Sequence, residues 1–149
     1  MKILGIGIDI IDNKRIKQSI KSSKFKSRIY SSNELKLSKK TKNKVAFFSK
    51  RFAAKEAFSK ALGTGFSSNL SFKDIEITND KKGMPRYVDN RKIIKIVKKK
   101  YKIKKFNSFL SISDEKDYST AFAIIQSCLL YTSDAADDLL CVDLGGRRI

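Results

Sequence analysis

The chain has 149 residues, of which 33 are lysine or arginine and 15 are aspartate or glutamate, so its formal net charge is +18. This length predicts one domain, and this charge predicts anionic partners such as nucleic acid, phosphorylated cofactors, acidic proteins or anionic membranes. The sequence has no histidine, and its two cysteines, Cys128 and Cys141, both lie near the end. Residues 1–126 therefore offer no disulfide, zinc site or imidazole base, and any metal there needs oxygen ligands, which favours magnesium or manganese.

Residues 127–149 differ in composition from the rest, because Asp, Leu, Gly and Arg replace the Lys, Ile and Phe that dominate before them. The run CLLYTSDAADD resembles a translated sequencing adapter, read through after a missing stop codon. We therefore expect residues 1–126 to form the domain and residues 127–149 to be a non-native tail; a genuine extension is the alternative. The tail has four aspartates and two arginines, a net charge of −2, so residues 1–126 carry +20.

The N-terminal run ILGIGIDII predicts a β-strand with two different faces. One face carries isoleucines, and the other carries two glycines and an aspartate, which lets a backbone or a ligand approach closely. Asp12 and Asn13 are better placed than Asp9 to cap the next helix, so Asp9 is a candidate metal ligand. The isoleucine face comprises Ile6, Ile8 and Ile10, and the other face comprises Gly5, Gly7 and Asp9.

A helix is predicted over residues 13–22, with Ile16 and Ile20 facing inward. Its basic residues form either a solvated face or a docking face for an acidic partner. The next helix is predicted to open at the capping box Ser31-Ser-Asn-Glu34. The basic face comprises Lys14, Arg15, Lys21 and Lys24.

A long central helix is predicted from about Lys44 to Gly63, where glycine ends it. Val45, Phe48, Phe52, Ala57, Ala61 and Leu62 recur at the spacing of one apolar helix face. Glu56 lies among small apolar neighbours, and Lys60 follows one turn later, so the two can share a site. An ordinary surface ion pair between Glu56 and Lys60 is the alternative.

The remaining elements predict a hairpin, a helix and two more strands. Residues 72–78 and 84–88 are predicted strands around an Asn79–Gly83 turn, with Pro85 at the edge or start of the second. Residues 90–101 predict an amphipathic helix that packs its apolar side, with a membrane-surface helix as the alternative. Residues 106–113 and 119–126 predict antiparallel strands.

The predicted fold class is α+β, with an antiparallel sheet packed against the long central helix. We expect a cytoplasmic protein, because no secretory signal or membrane-spanning stretch is visible.

Four stretches, GIGIDII, RFAAKEAFSKALGTG, IEITNDKKGMP and FLSISDEKDYSTAFAII, occur in the order found in holo-acyl-carrier-protein synthases. Residues 1–126 resemble these small 4'-phosphopantetheinyl transferases throughout. The resemblance implies the transferase fold and magnesium-dependent transfer of 4'-phosphopantetheine from coenzyme A to a serine of acyl carrier protein, releasing 3',5'-ADP. It also implies a homotrimer with active sites at the subunit interfaces.

The same resemblance implies roles for individual residues. Asp9 and Glu56 match the metal ligands, and Lys60 matches a catalytic lysine near the coenzyme A phosphates. The basic face matches the surface that meets the carrier protein. Residues matching the coenzyme-binding positions are Arg51, Lys55, Lys60, Gly63, Gly83, Pro85, Ser113 and Asp114. Many relatives have histidine in place of Asp114, and a carboxylate cannot replace an imidazolium toward phosphate.

A small basic nucleic-acid-binding module is the second function hypothesis. It depends on net charge alone, since the chain has no recognised nucleic-acid-binding motif and few aromatic residues among its lysines. Without histidine, the sequence also leaves open which base accepts the proton of the serine hydroxyl.

Overall fold

The computed structural model describes residues 2–67 and 69–128, so Cys141 and most of the expected tail lie outside the described residues. The fold is α+β, as predicted. No helix in the described ranges is both long and apolar enough to cross a membrane. In chain order the elements are β1 (Lys2–Asp12), α1 (Asn13–Ser19), α2 (Ser23–Ile29), α3 (Ser32–Lys39), α4 (Lys44–Leu62), a 3-10 turn (Phe72–Asp74), β2 (Ile77–Asn79), β3 (Pro85–Tyr87), α5 (Arg91–Tyr101), β4 (Phe106–Asp114) and β5 (Tyr118–Ser127).

The main sheet is antiparallel and has the order β1-β5-β4, so the last strand lies in the middle. Asp9 is opposite Ala121 on β5, which is in turn opposite Ile112 on β4. The short strands β2 and β3 form a separate hairpin, with Pro85 at the start of β3 as predicted. β5 extends to Ser127, one residue beyond the predicted end, and the Ser127 hydroxyl bonds to the backbone of Lys2.

The central helix α4 crosses one face of the sheet and forms the middle of the core. Its predicted limits are confirmed: Asn43 caps the start, and Gly63 ends it with a left-handed φ of 68°. The prediction of a single apolar face is too narrow, because α4 is buried on most sides, including at Ser49, Lys55 and Ser59. Neighbouring elements surround the helix, so its polar residues also need partners inside the protein.

The glycine face of β1 is the one that packs on α4. A Cβ atom on Gly7 would lie 1.9 Å from the carbonyl oxygen of Ala57, and one on Gly5 would lie 1.8 Å from that of Ala61. The two backbones therefore touch with no side chain between them. This contact places Asp9, the next residue on the same face, beside α4.

Two predicted elements differ from the structure. The helix predicted over residues 13–22 ends at Ser19, and a second helix, α2, begins after Ser22, whose hydroxyl accepts the N–H of Phe25. The strand predicted over residues 72–78 is a 3-10 turn followed by the three-residue β2. Here the Asp74 carboxylate accepts both the N–H and the hydroxyl of Ser71, each at 2.8 Å, and this local cap competes with an extended backbone.

Candidate active site

Asp9, Glu56 and Lys60 lie together where β1 crosses α4, and we call them the carboxylate site. The Lys60 ammonium donates to the Asp9 carboxylate at 2.7 Å. The Asp9 side chain is only 13% exposed, whereas that of Lys60 is 53% exposed and reaches solvent. Thr120 on β5 donates its hydroxyl to the Asp9 carbonyl at 2.8 Å, which fixes this part of the strand.

Glu56 is half-buried beside this ion pair. Partial burial raises the pKa of the Glu56 carboxyl; the Asp9 carboxylate raises it further, and Lys60 and Arg15 oppose the rise. The two carboxylates are thus close enough to repel each other. Among the described residues, Lys60 forms its ion pair with Asp9, so the structure does not support a simple surface pair between Glu56 and Lys60.

The donor set fits a magnesium ion. Magnesium is usually bound in proteins through one or two carboxylates, with phosphate oxygens and water completing six positions. Asp9 and Glu56 supply two carboxylates, and the described residues contain no group of three or more acidic, histidine or cysteine side chains that could hold a metal ion. A divalent cation between Asp9 and Glu56 would also offset the repulsion that raises the Glu56 pKa.

Several of the other predicted site residues surround a cavity of about 660 Å³ between α4, the β2–β3 hairpin and the end of β4. We call it the basic cavity. Since Ile112 lines it and lies two strands from Asp9, the cavity begins about 10 Å from the carboxylate site. Its lining includes Lys40, Lys50, Arg51, Gly83, Pro85 and Asp114. Ser113 is exposed beside Asp114.

The structure corrects the prediction for Lys55. Its side chain is 0% exposed, and its ammonium donates to the Glu34 carboxylate at 2.7 Å and to the carbonyls of Phe72 at 3.0 Å and Ile75 at 2.6 Å. All three donors are used inside the protein, so Lys55 cannot hold a coenzyme phosphate. Burial lowers the pKa of Lys55, and the Glu34 carboxylate opposes this change.

Arg51 is also largely buried, although it reaches the basic cavity. Its guanidinium donates to the Asn79 side-chain oxygen at 3.1 Å and stacks 3.6 Å over the Phe47 ring. Its Nε lies 4.0 Å from Glu34, so one carboxylate serves both cations. Sequence spacing could not reveal this network, because Glu34 is far from both residues along the chain.

The remaining predicted residues are accessible. Gly63 is exposed at the end of α4, where a Cβ would lie 3.3 Å from the Lys100 ammonium. The four basic-face residues, Lys14, Arg15, Lys21 and Lys24, are exposed on and around α1 and α2. Arg15 acts electrostatically on Glu56, so the basic face borders the carboxylate site.

Sequence reasoning missed Lys50 and Asn13. The Lys50 ammonium donates to the Asp114 carboxylate at 3.1 Å. The Asn13 side-chain amide donates to the carbonyls of Glu115 and Lys116, and its oxygen accepts the hydroxyl of Ser119. Asn13 thereby ties the β4–β5 turn to α1; no sequence signal indicated this contact.

Comparisons with known proteins show which family this chain resembles in sequence and in fold. A holo-[acyl-carrier-protein] synthase from Pelagibacter ubique is 62% identical over 126 residues, which cover 85% of this chain and 98% of that protein. A crystal structure of the Neisseria meningitidis holo-[acyl-carrier-protein] synthase matches with a TM-score of 0.76 and 37% identity, covering 85% of this chain and all of that one. A Bacillus anthracis synthase in complex with CoA (3',5'-ADP) matches with a TM-score of 0.71 and 38% identity, covering 85% and 98%.

These relatives confirm the predicted transferase fold and give no support to the nucleic-acid-binding alternative. The family model of the 4'-phosphopantetheinyl transferase superfamily matches residues 5–123, most of the described chain. The chain therefore belongs to the 4'-phosphopantetheinyl transferase superfamily.

Proposed function

We propose that Asp9 and Glu56 hold the divalent cation with which this enzyme transfers 4'-phosphopantetheine from coenzyme A to a serine of acyl carrier protein. The observation that carries this proposal is the convergence of the two carboxylates, 47 positions apart in the sequence, at the contact of β1 with α4. Lys60 stands beside them with its ammonium partly in solvent. A site with this composition is suited to a diphosphate.

In the reaction, the serine hydroxyl oxygen forms a bond to the phosphorus that carries pantetheine. The bond from that phosphorus to the bridging oxygen breaks, 3',5'-ADP leaves with the electron pair, and the serine proton is lost to a base. When bound, magnesium neutralises charge on the diphosphate oxygens. Lys60 adds a positive charge on the same side, and Asp9 orients the Lys60 ammonium before substrate arrives.

The nucleotide end of coenzyme A is assigned to the basic cavity. Its volume is within the range of small-molecule sites, and its position about 10 Å from Asp9 suits a ligand whose diphosphate is at the carboxylate site. Gly83, with a φ of 88°, and Pro85 form one wall. The Bacillus anthracis relative, whose structure contains CoA (3',5'-ADP), supports a coenzyme A site in this fold.

The test is a transfer assay with intact-protein mass spectrometry. The chain is mixed with coenzyme A, magnesium chloride and an apo-acyl carrier protein, and the carrier is expected to gain one phosphopantetheine group. Omission of magnesium with added chelator should stop the gain. A carrier that gains no mass, with the enzyme folded by circular dichroism, would contradict the proposal.

The basic face is proposed to dock the carrier protein, whose acidic surface it complements. We expect the double substitution Lys21→Glu and Lys24→Glu to raise the KM for carrier protein by roughly tenfold, with little change in kcat. Both lysines are exposed, so folding should not suffer. The matched control, Lys95→Glu with Lys99→Glu on the exposed side of α5, changes net charge equally and should leave this KM within about twofold.

A homotrimer with active sites at the subunit interfaces is proposed from the uncovered face of the sheet. α4 covers one face, while the other exposes large apolar side chains, four of them on the strand that carries Asp9. Such a continuous apolar face usually marks an interface. These side chains are Ile3, Ile6, Ile8, Ile10, Phe109, Tyr118 and Phe122.

We expect Ile8→Asp to dissociate this assembly to monomers and lower the transfer rate. The Ile8 side chain is 61% exposed in the single chain, so the substitution should spare the fold while burying a charge at any interface. Sedimentation velocity measures the outcome. Met84→Asp, which places the same charge at an exposed apolar residue of the hairpin, should remain trimeric; a trimeric Ile8→Asp protein would contradict the proposed interface.

A further inference from the structure

The start of α1 is anchored by a side chain that faces the protein interior. Asn13, the first residue of this helix, is only 6% exposed. Its side-chain amide donates to the carbonyls of Glu115 at 3.0 Å and Lys116 at 3.2 Å, and its oxygen accepts the Ser119 hydroxyl at 2.8 Å. Its backbone N–H donates to the Asp117 carbonyl at 2.7 Å. Both amide protons and the oxygen are used within the protein, so Asn13 does not contact a substrate.

Asn13 is not needed to begin the helix. The Asp12 carboxylate caps α1 by accepting the N–H of Lys14 at 2.7 Å, and Ile16, which is 1% exposed, packs the helix into the core. The bonds of Asn13 act between elements instead, because they join α1 to the β4–β5 turn and to the first residues of β5. A buried polar side chain whose hydrogen bonds are all satisfied fixes the relative position of the elements that it joins.

Two consecutive hydroxyls of β5 hold the segment that connects Asp9 to α1. Ser119 donates to the Asn13 side chain at one end of this segment, and Thr120 donates to the Asp9 carbonyl at the other end, each at 2.8 Å. Between these two points β1 pairs with β5 in regular register. β5 therefore sets the position of α1 relative to the carboxylate site.

We propose that Asn13 is a positioning residue for the carrier protein, because it fixes α1 and its part of the basic face relative to the carboxylate site. The inference rests on the proposed function, which docks the carrier on the basic face and places the diphosphate beside Asp9. The docked carrier must then bring its serine hydroxyl into line with a phosphorus held at the other end of the Asp9–Asn13 segment. In-line attack tolerates little displacement of the reacting atoms.

Loss of this anchor has a kinetic effect that differs from loss of charge. Without Asn13 the lysines and arginine of the basic face remain in place, so the carrier still docks. A smaller fraction of docked carriers has its serine aligned, so kcat falls while the affinity for the carrier is kept. Charge reversal at Lys21 and Lys24 has the opposite signature, since it raises KM and spares kcat.

The first experiment measures steady-state transfer by Asn13→Leu and Ser119→Ala. Asn13→Leu keeps the approximate size of the side chain and removes all three of its hydrogen bonds, and we expect it to lower kcat about tenfold. Ser119→Ala removes one of the three bonds, and we expect a decrease of about threefold. The KM values for carrier protein and for coenzyme A should stay within about twofold of those of the unsubstituted enzyme.

Ser127→Ala is the matched control. Ser127 lies on the same strand, is also buried, and its hydroxyl bonds to the backbone of Lys2 at the opposite end of the β1–β5 pairing. Its removal loosens the same pair of strands far from Asp9, so kcat should stay within about twofold. Urea denaturation of all three variants shows which of them lose stability. An equal fall in kcat for Ser127→Ala would overturn the inference, because general loosening of the sheet would then explain the effect.

The second experiment measures carrier binding without turnover. Calorimetry uses an acyl carrier protein whose acceptor serine is replaced by alanine, without coenzyme A, and Asn13→Leu should bind it within about twofold of the unsubstituted enzyme. Weaker binding with an unchanged kcat would overturn the positioning role. If Asn13→Leu does not fold, Ser119→Ala decides.

The two proposals fail in different ways. If the unsubstituted enzyme transfers phosphopantetheine and the folded variants keep its kcat, this inference fails while the proposed function stands. If the unsubstituted enzyme transfers nothing, both fail.

Discussion

Replacing Glu56 by glutamine is expected to lower phosphopantetheine transfer by at least ~100-fold while making the metal-free protein more stable. Glutamine keeps the shape of the side chain but removes one of the two carboxylates proposed to hold the divalent cation. The same change relieves the repulsion between Glu56 and Asp9. Activity and stability should therefore move in opposite directions.

The sign of the stability change follows from the pKa of Glu56. Partial burial and then Asp9 raise this pKa in the folded state, so the group favours folding below the unfolded pKa, and that contribution is lost as pH rises through the folded pKa. At neutral pH an ionised Glu56 thus destabilises the metal-free fold. Glutamine should raise the free energy of unfolding by on the order of 0.5–1 kcal/mol at pH 7, and by less near pH 4.

Urea denaturation at both pH values measures this effect, and thermal shift with magnesium and coenzyme A measures the loss of ligand binding. The matched control is Asp89→Asn, because burial alone raises the pKa of Asp89 and no second carboxylate is involved. Asp89 lies outside the carboxylate site and the basic cavity, so this variant should keep full transfer activity. Normal phosphopantetheine transfer by the Glu56→Gln enzyme would contradict the proposed role of Glu56 as a metal ligand.

Replacing Lys55 by methionine is expected to destabilise the fold by about 3–5 kcal/mol. Methionine retains the apolar stem, but the ammonium is lost from the Glu34 carboxylate and from the carbonyls of Phe72 and Ile75. Glu34 is 0% exposed and would keep its backbone donors, Ser31 and Ile77, with only Arg51 nearby as a cation. A buried charge without its partner is costly.

Urea denaturation followed by circular dichroism gives the change, and Lys44→Met on the exposed start of α4 provides the control. The control should alter stability by no more than ~0.5 kcal/mol. If Lys55→Met instead weakened coenzyme A binding with stability intact, Lys55 would be a phosphate ligand after all, and its burial would not describe the working enzyme.

Local chemistry made much of the fold predictable. Gly63, the capping box at Ser31 and Glu34, and the turn at Gly83 act over a few residues, and all occur where the sequence placed them. The strand predicted over residues 72–78 was wrong because alternating hydrophobicity carries no information about two local contacts. One is the Ser71–Asp74 cap, and the other is the pair of hydrogen bonds from Lys55 to the carbonyls of Phe72 and Ile75.

The candidate site was predictable only where local sequence signals indicated it. Asp9 was identified because the glycines beside it left no packing role for a carboxylate, and the structure brings it to Glu56 and Lys60. Lys55 was misassigned because the resemblance alone gave it a coenzyme-binding role, while its ion-pair partner inside the protein, Glu34, belongs to another helix. Contacts between distant elements, such as Lys50 with Asp114, have no periodicity to reveal them.

The position of β5 also has a consequence for biogenesis. Within the part of the chain that the structure describes, the last strand occupies the centre of the main sheet, and the first strand pairs only with it. During synthesis, β1 and β4 therefore remain unpaired until β5 becomes available. The apolar residues of α4 that pack on the sheet remain uncovered for the same time. Such non-local closure slows folding. We expect the nascent chain to remain protease-sensitive until β5 has left the exit tunnel.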